Sequence, residues 1–220
     1  MKKVIASEYV SFGHPDKIAD QISDALLDEY LKGDVNSLTG IEVMVKDNVV
    51  ILGGEVNSMT RFDIDKKVRE TVSNIPFSPI HKLGYDDIKI INLIGQQSPE
   101  INKGVKHEDG VIGAGDQGFM VGYATNKTPN KLPLGLYLAR YICNYVATEM
   151  GLQFGPDVKS QVIVEYNDGE TPKVKSILVS TMHTNIDLAT VRITIMQSIL
   201  QNKVGIGFRC DDQAILIYSQ

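Results

Sequence analysis

Ser11-Phe12-Gly13-His14-Pro15-Asp16-Lys17 places a glycine, an imidazole, a carboxylate and an ammonium group directly ahead of a segment with helical spacing. Such a set suits a phosphate chain. Backbone N–H groups at the helix N-terminus, His14 and Lys17 could face the anion while Asp16 held a magnesium ion, which prefers carboxylate and phosphate oxygens. The same residues also make an ordinary helix start, because proline fits the first turn and an acid complements the helix dipole.

Gly113-Ala114-Gly115-Asp116-Gln117-Gly118 formally satisfies GxGxxG, but its context is wrong for a dinucleotide fingerprint. That motif follows a strand, opens a helix and has an acid about 20 residues on. Here it follows a loop and opens the β-like run Phe119–Ala124, and Leu134–Arg140 offers no acid. Glycines around Asp116 let a small ligand approach its carboxylate closely, or else form a plain turn. Glu42 and Glu55 stand on two extended runs, the second just after Gly53-Gly54, where surface glutamates are also common. Asp157 and Lys159 alternate along one strand and share a face, as an energetically minor exposed ion pair would too.

The elements that must carry these residues follow from periodicity. Lys3–Val10 reads as a strand, and Asp16–Leu31 as a helix with Ile18, Ile22, Ala25, Leu26 and Leu27 on one face and Asp20, Asp24 and Asp28 opposite. Gly40–Val45 and Val49–Gly54 form a hairpin across Lys46-Asp47-Asn48. A helix over Asp63–Ser73 and a strand over Ile88–Ile94 follow, then a long segment from Gly95 to Gly118 rich in Gly, Gln, Ser, Pro, Asn and Asp. Long irregular segments in compact domains are often functional.

The order then recurs as strand Phe119–Ala124, helix Leu134–Met150, strands Val158–Tyr166 and Val174–Ser180 around Asn167-Asp168-Gly169, helix Leu188–Leu200 and strand Ala214–Tyr218. The expected fold class is α/β of the α+β type, with two tandem β-α-β-β-α-β units at residues 1–125 and 126–220. The first unit takes in 96–110 and the Gly113–Gly118 segment, and its first strand is free to pair with the second unit.

Bulk properties narrow the function. With 22 Lys and Arg against 27 Asp and Glu, the net charge of -5 gives no general attraction to nucleic acid or an anionic membrane. A polyanionic substrate therefore needs a local basic site. Met1-Lys2-Lys3 is followed by too short an apolar stretch for a secretion signal, and no run approaches the ~18 apolar residues of a membrane span. Cys143 and Cys210 form no metal cluster or disulfide framework, so a reducing cytoplasm is the expected home. The scattered His14, His81, His107 and His183 argue against a zinc hydrolase.

Taken in order, several segments resemble the methionine adenosyltransferases. They are Ser7-Glu8 with Gly13–Ala25, Gly53-Gly54-Glu55, Ile94–Ile101, Gly113–Gly118 with Tyr123–Asn126, Pro156–Val162 and Ser180–His183. The resemblance covers about residues 3 to 185. It implies a fold of similar α/β units, of which these would be the first two, and synthesis of S-adenosylmethionine from ATP and L-methionine with magnesium (Mg2+) and potassium (K+).

Position by position it implies that His14 and Lys159 contact the triphosphate, that Asp16 binds magnesium and that Glu42 belongs to a potassium site. Glu55, Gln97 and Asp116 would hold methionine, with Glu8 and Asp157 near the nucleotide. Gln96–Gly110, with Gln97, Ser98 and Ile101, would be a gating loop, and the site would lie between the subunits of at least a homodimer. The implied chemistry fits the residue types. A thioether sulfur carries no proton, so its attack on the ribose C5′ needs no general base, and expelling a polyanion rests on positioning and electrostatics.

Beyond about residue 185 the resemblance fades. The family's GGPxGDxGxTGRK segment does not occur, and Cys210–Ile215 stands where NPxGRF is expected. Phosphate neutralisation would then fall to other cations, such as Lys17, Lys103, Lys106 and Arg209, or the product would form slowly or not at all. Hydrolysis of the tripolyphosphate should suffer more than synthesis. Ile215–Gln220 reads as a closing edge strand, which favours a naturally small protein. The alternative to a small synthetase is a non-catalytic subunit that pairs with a full-length relative.

Overall fold

The computed structural model describes residues 2–76, 87–98, 113, 117–151, 153–201 and 215–219. Along these run β1 (Lys2–Val10), α1 (Pro15–Gly33), β2 (Leu38–Lys46), β3 (Val49–Asn57), α2 (Ile64–Ser73), β4 (Lys89–Asn92), β5 (Gly95–Gln96), α3 (Leu134–Glu149), β6 (Phe154–Asn167), β7 (Lys173–His183), α4 (Leu188–Gln201) and β8 (Ile215–Ser219). The mixed α/β class expected from the sequence holds. The chain divides into two compact units, one of Met1–Lys17, Ile75–Lys82 and Tyr123–Gln220, the other of Ile18–Asn74 and Leu83–Gly122.

The first unit is built on a sheet of order β1-β6-β7-β8, antiparallel except for the parallel β7–β8 pair. Along β6 the side chains alternate. Val158, Ser160, Val162 and Val164 are buried, while Lys159 is exposed and Gln161 and Ile163 are half-buried. The three valines of that row meet Leu138, Ile142 and Val146 of α3 and Val191 and Ile195 of α4 in one core. Full burial of each such side chain contributes about 1.5–3 kcal/mol. Cys143 belongs to that core, its Sγ 3.2 Å from Tyr9 O, and burial pushes its thiol up to about 11.

The second unit carries β2 and β3 as an antiparallel hairpin, with β4 and β5 each parallel to β3. The tight turn at Asp47 (φ 53) was legible in the sequence, since a short polar residue tolerates the left-handed region. Helix α1 buries Ile18, Ile22, Leu26 and Tyr30, four residues apart, as helical geometry requires of one face. Helix α2 buries Val68 and Val72, and Asp63 caps it by accepting the Lys66 N–H at 2.9 Å.

One expected strand is corrected. Phe119–Ala124 makes no ladder among the described residues, and Phe119 and Met120 stand 91% and 101% exposed. Its composition is strand-like, but a strand exists only where a neighbouring edge supplies hydrogen bonds. The β6 edge that it would need is taken by β1. In space, therefore, the N-terminal strand completes the β-α-β-β-α-β pattern of α3, β6, β7, α4 and β8.

Candidate active site

The His14 turn is fixed by an exchange between the end of β1 and the start of β6. Ser11 N donates to Val158 O at 2.9 Å and Gly13 N to Pro156 O at 3.2 Å. A Cβ at Gly13 would lie 2.6 Å from the Pro156 Cβ and 2.7 Å from its carbonyl carbon, so only glycine permits this approach. The turn closes with His14 N on Ser11 O at 3.1 Å, and Lys17 N on His14 O at 2.9 Å begins α1.

Within the turn, His14 Nδ1 accepts the Asp16 N–H at 3.1 Å. In the neutral ring that bond places the proton on Nε2, leaving an N–H donor aimed away from its own backbone. Asp16 Oδ2 lies 3.7 Å from the same Nδ1, and with its side chain 84% exposed the carboxylate is open to a ligand.

Lys159, Gln161 and Glu8 meet on the outer face of the β1–β6 pair, where Glu8 stands opposite Gln161 and Val10 opposite Lys159. Glu8 takes the Gln161 amide on Oε1 at 2.6 Å and the Lys159 ammonium on Oε2 at 3.1 Å. The Gln161 hydrogen bond first, and Lys159 second, hold the Glu8 carboxyl below its ordinary range. A 47% exposed Lys159 paired with a 48% exposed Glu8 is worth little in stability, so the pair serves mainly to orient the ammonium. Asp157 precedes Lys159 by two residues on β6 and is half-buried.

The second unit holds the other candidates. Glu42 pairs with Gly53 and Glu55 with Gly40, a register that puts both carboxylates on one face of the hairpin. Gly54, at φ +100, sets the backbone there, because a Cβ at that position would meet Gly40 O at 1.9 Å. In parallel register Glu55 pairs with Gly95, and Gln97 N then donates to Val56 O at 3.1 Å. The Gln97 side-chain Oε1 is buried without a hydrogen-bond partner. Ser98 follows it, whereas Ile101 and Asp116 lie outside the described residues.

Among the described residues no three His, Cys, Asp or Glu side chains gather into a metal cage. Single hard carboxylates, Asp16 in the first unit and Glu42 in the second, fit cations that complete their shells with substrate oxygens and water. Among the described residues no helix is long and apolar enough to cross a membrane.

Two residues of this arrangement escaped the sequence reading. Gln161 follows Lys159 by two on an alternating strand, which was signal enough to place it on the same face. Ser11 had no such signal, because its partners are more than a hundred residues away.

Residues 2–99 match the family model for the N-terminal domain of S-adenosylmethionine synthetase, and residues 111–219 match that for its central domain. The S-adenosylmethionine synthase of Staphylococcus epidermidis is 38% identical over 235 aligned residues, covering 98% of this chain and 59% of that protein. The one from Azobacteroides pseudotrichonymphae is 40% identical over 200, covering 87% and 47%. A solved structure of an unusual S-adenosylmethionine synthetase from Campylobacter jejuni aligns with a TM-score of 0.75 at 30% identity, covering 97% of this chain and 57% of that one. The chain spans about half the length of the relatives that it matches. Two consecutive domain matches, the aligned identities and the common fold together show that it belongs to the S-adenosylmethionine synthetase family.

Proposed function

We propose that the chain makes S-adenosylmethionine from ATP and L-methionine, the methionine sulfur attacking the ribose C5′ and displacing tripolyphosphate. The observation that carries this is the His14 turn. With Nδ1 committed to the Asp16 N–H, the ring presents Nε2–H beside the positive end of the α1 dipole, a donor and a field suited to a phosphate chain that gains charge as it departs. Lys159 adds an ammonium already oriented by Glu8. Asp157 and Glu8 line the nucleotide side in this reading.

Magnesium held by Asp16 and the phosphates would neutralise negative charge on the leaving group. Potassium would sit at Glu42. Methionine falls to the second unit, where Glu55 offers a carboxylate and the unpartnered Gln97 Oε1 an acceptor, while Asp116 would hold its ammonium group. Carboxylates also suit the sulfonium product. A homodimer sharing its active sites, a gate formed by Gln97, Ser98 and Ile101, and a cytoplasmic location complete the proposal.

The test is purified chain with ATP, methionine, magnesium and potassium, followed by mass spectrometry for S-adenosylmethionine and phosphorus NMR for the phosphates. Product should form and fall by at least a hundredfold in His14→Ala, on the scale of one lost transition-state donor. Tripolyphosphate should accumulate, its hydrolysis weak or absent. No product from the chain alone, with altered activity of a full-length relative on mixing, would support a regulatory subunit instead.

A further inference from the structure

Ser11 is 1% exposed, and its hydroxyl lies between the two peptide groups that flank Asp157. Oγ donates to Pro156 O at 2.5 Å, with Val158 O also in reach at 3.1 Å, and accepts the Val158 N–H at 2.8 Å. The Pro156 carbonyl belongs to the peptide entering Asp157, and the Val158 N–H to the peptide leaving it. One buried hydroxyl therefore holds the backbone on both sides of this residue.

The strand needs support there. Toward β7 the register of β6 shifts between Phe154 and Val158, and toward β1 the ladder ends at Val10 opposite Lys159. Asp157 sits where neither neighbouring strand supplies a regular pair. Ser11 O also accepts the His14 N–H at 3.1 Å, so the residue that fixes Asp157 also begins the turn that carries His14 and Asp16.

We propose that Ser11 is a positioning residue of the nucleotide site, setting the direction of the Asp157 carboxylate relative to the His14–Asp16 turn. This rests on the reading of Asp157 as a nucleotide contact given above. Without the hydroxyl, the Val158 N–H loses its partner and the Pro156 carbonyl keeps only the Gly13 N–H, so the peptide leaving Asp157 is released to turn, and a misplacement near 1 Å is enough to weaken a positioned contact strongly. The effect belongs to binding and passes through Asp157.

A double-mutant cycle tests it, with binding of the non-hydrolysable analogue AMP-PNP and magnesium measured by titration calorimetry. Ser11→Ala should weaken binding about tenfold, the size of one lost hydrogen bond. In an Asp157→Ala background the same change should cost less than about twofold if the two residues act as one unit. Equal weakening in both backgrounds, or none in either, overturns the role of Ser11.

Ser160→Ala is the control, since it removes another buried hydroxyl of β6, one that donates to Ala139 O at 2.8 Å. It should leave the affinity unchanged, and an equal loss there would reduce the Ser11 effect to general sheet packing. Should Ser11→Ala unfold, Ser11→Cys keeps the side-chain volume with weaker bonding and replaces it in the cycle, with a weakening of about threefold expected. Failure of the wild-type chain to bind the analogue sinks the nucleotide reading and this proposal with it. Binding by the wild type without coupling to Asp157 sinks the proposal alone.

Discussion

Glu8 is the residue whose state is most directly readable. Its carboxyl is depressed by Gln161 first and Lys159 second. A depressed carboxylate stabilises the fold above its unfolded pKa, and that contribution is lost as pH falls through the folded value. Replacing Gln161→Met, which keeps length but removes the amide, should move the Glu8 titration back toward the ordinary range, as carbon-13 NMR would record. An unmoved Glu8 would mean that Lys159 alone sets it. At this scale the sequence was informative about groups that act through neighbours in the chain, such as His14 with Asp16. It was silent about Ser11, because hydrogen bonds to Pro156 and Val158 exist only once β1 lies against β6.

Among the elements, the β2–β3 hairpin depends on Gly54. Gly54→Ala would force a Cβ into Gly40 O at a φ that side chains rarely adopt, and should cost about 1–3 kcal/mol in urea unfolding; on the proposed role of the neighbouring Glu55, methionine binding should weaken with it. A stability change under about half a kcal/mol would show that the strand relaxes freely. Helices α1 and α2 were legible because their period and caps are local signals. The run Phe119–Ala124 was misread for the opposite reason: alternation and composition report a tendency to pair, while the available edge is decided by β1, far earlier in the chain.

For the molecule as a whole, the exposed run Phe119, Met120, Val121 and Tyr123 is a solubility liability, since contiguous apolar backbone without a ladder invites pairing with other chains. Met120→Lys should raise the concentration at which the protein stays monodisperse in light scattering while leaving the unfolding midpoint unchanged. A lowered midpoint would show that the segment supports the fold. The pairing of β1 with β6 joins Lys2 to Asn167 across about three-quarters of the 220-residue chain. On a ribosome adding about 5–20 residues per second, β1 would wait roughly 8–30 s for β6 to follow it. Throughout that interval its open edge is exposed to the cell, so nascent chains should lean on chaperones until β6 arrives.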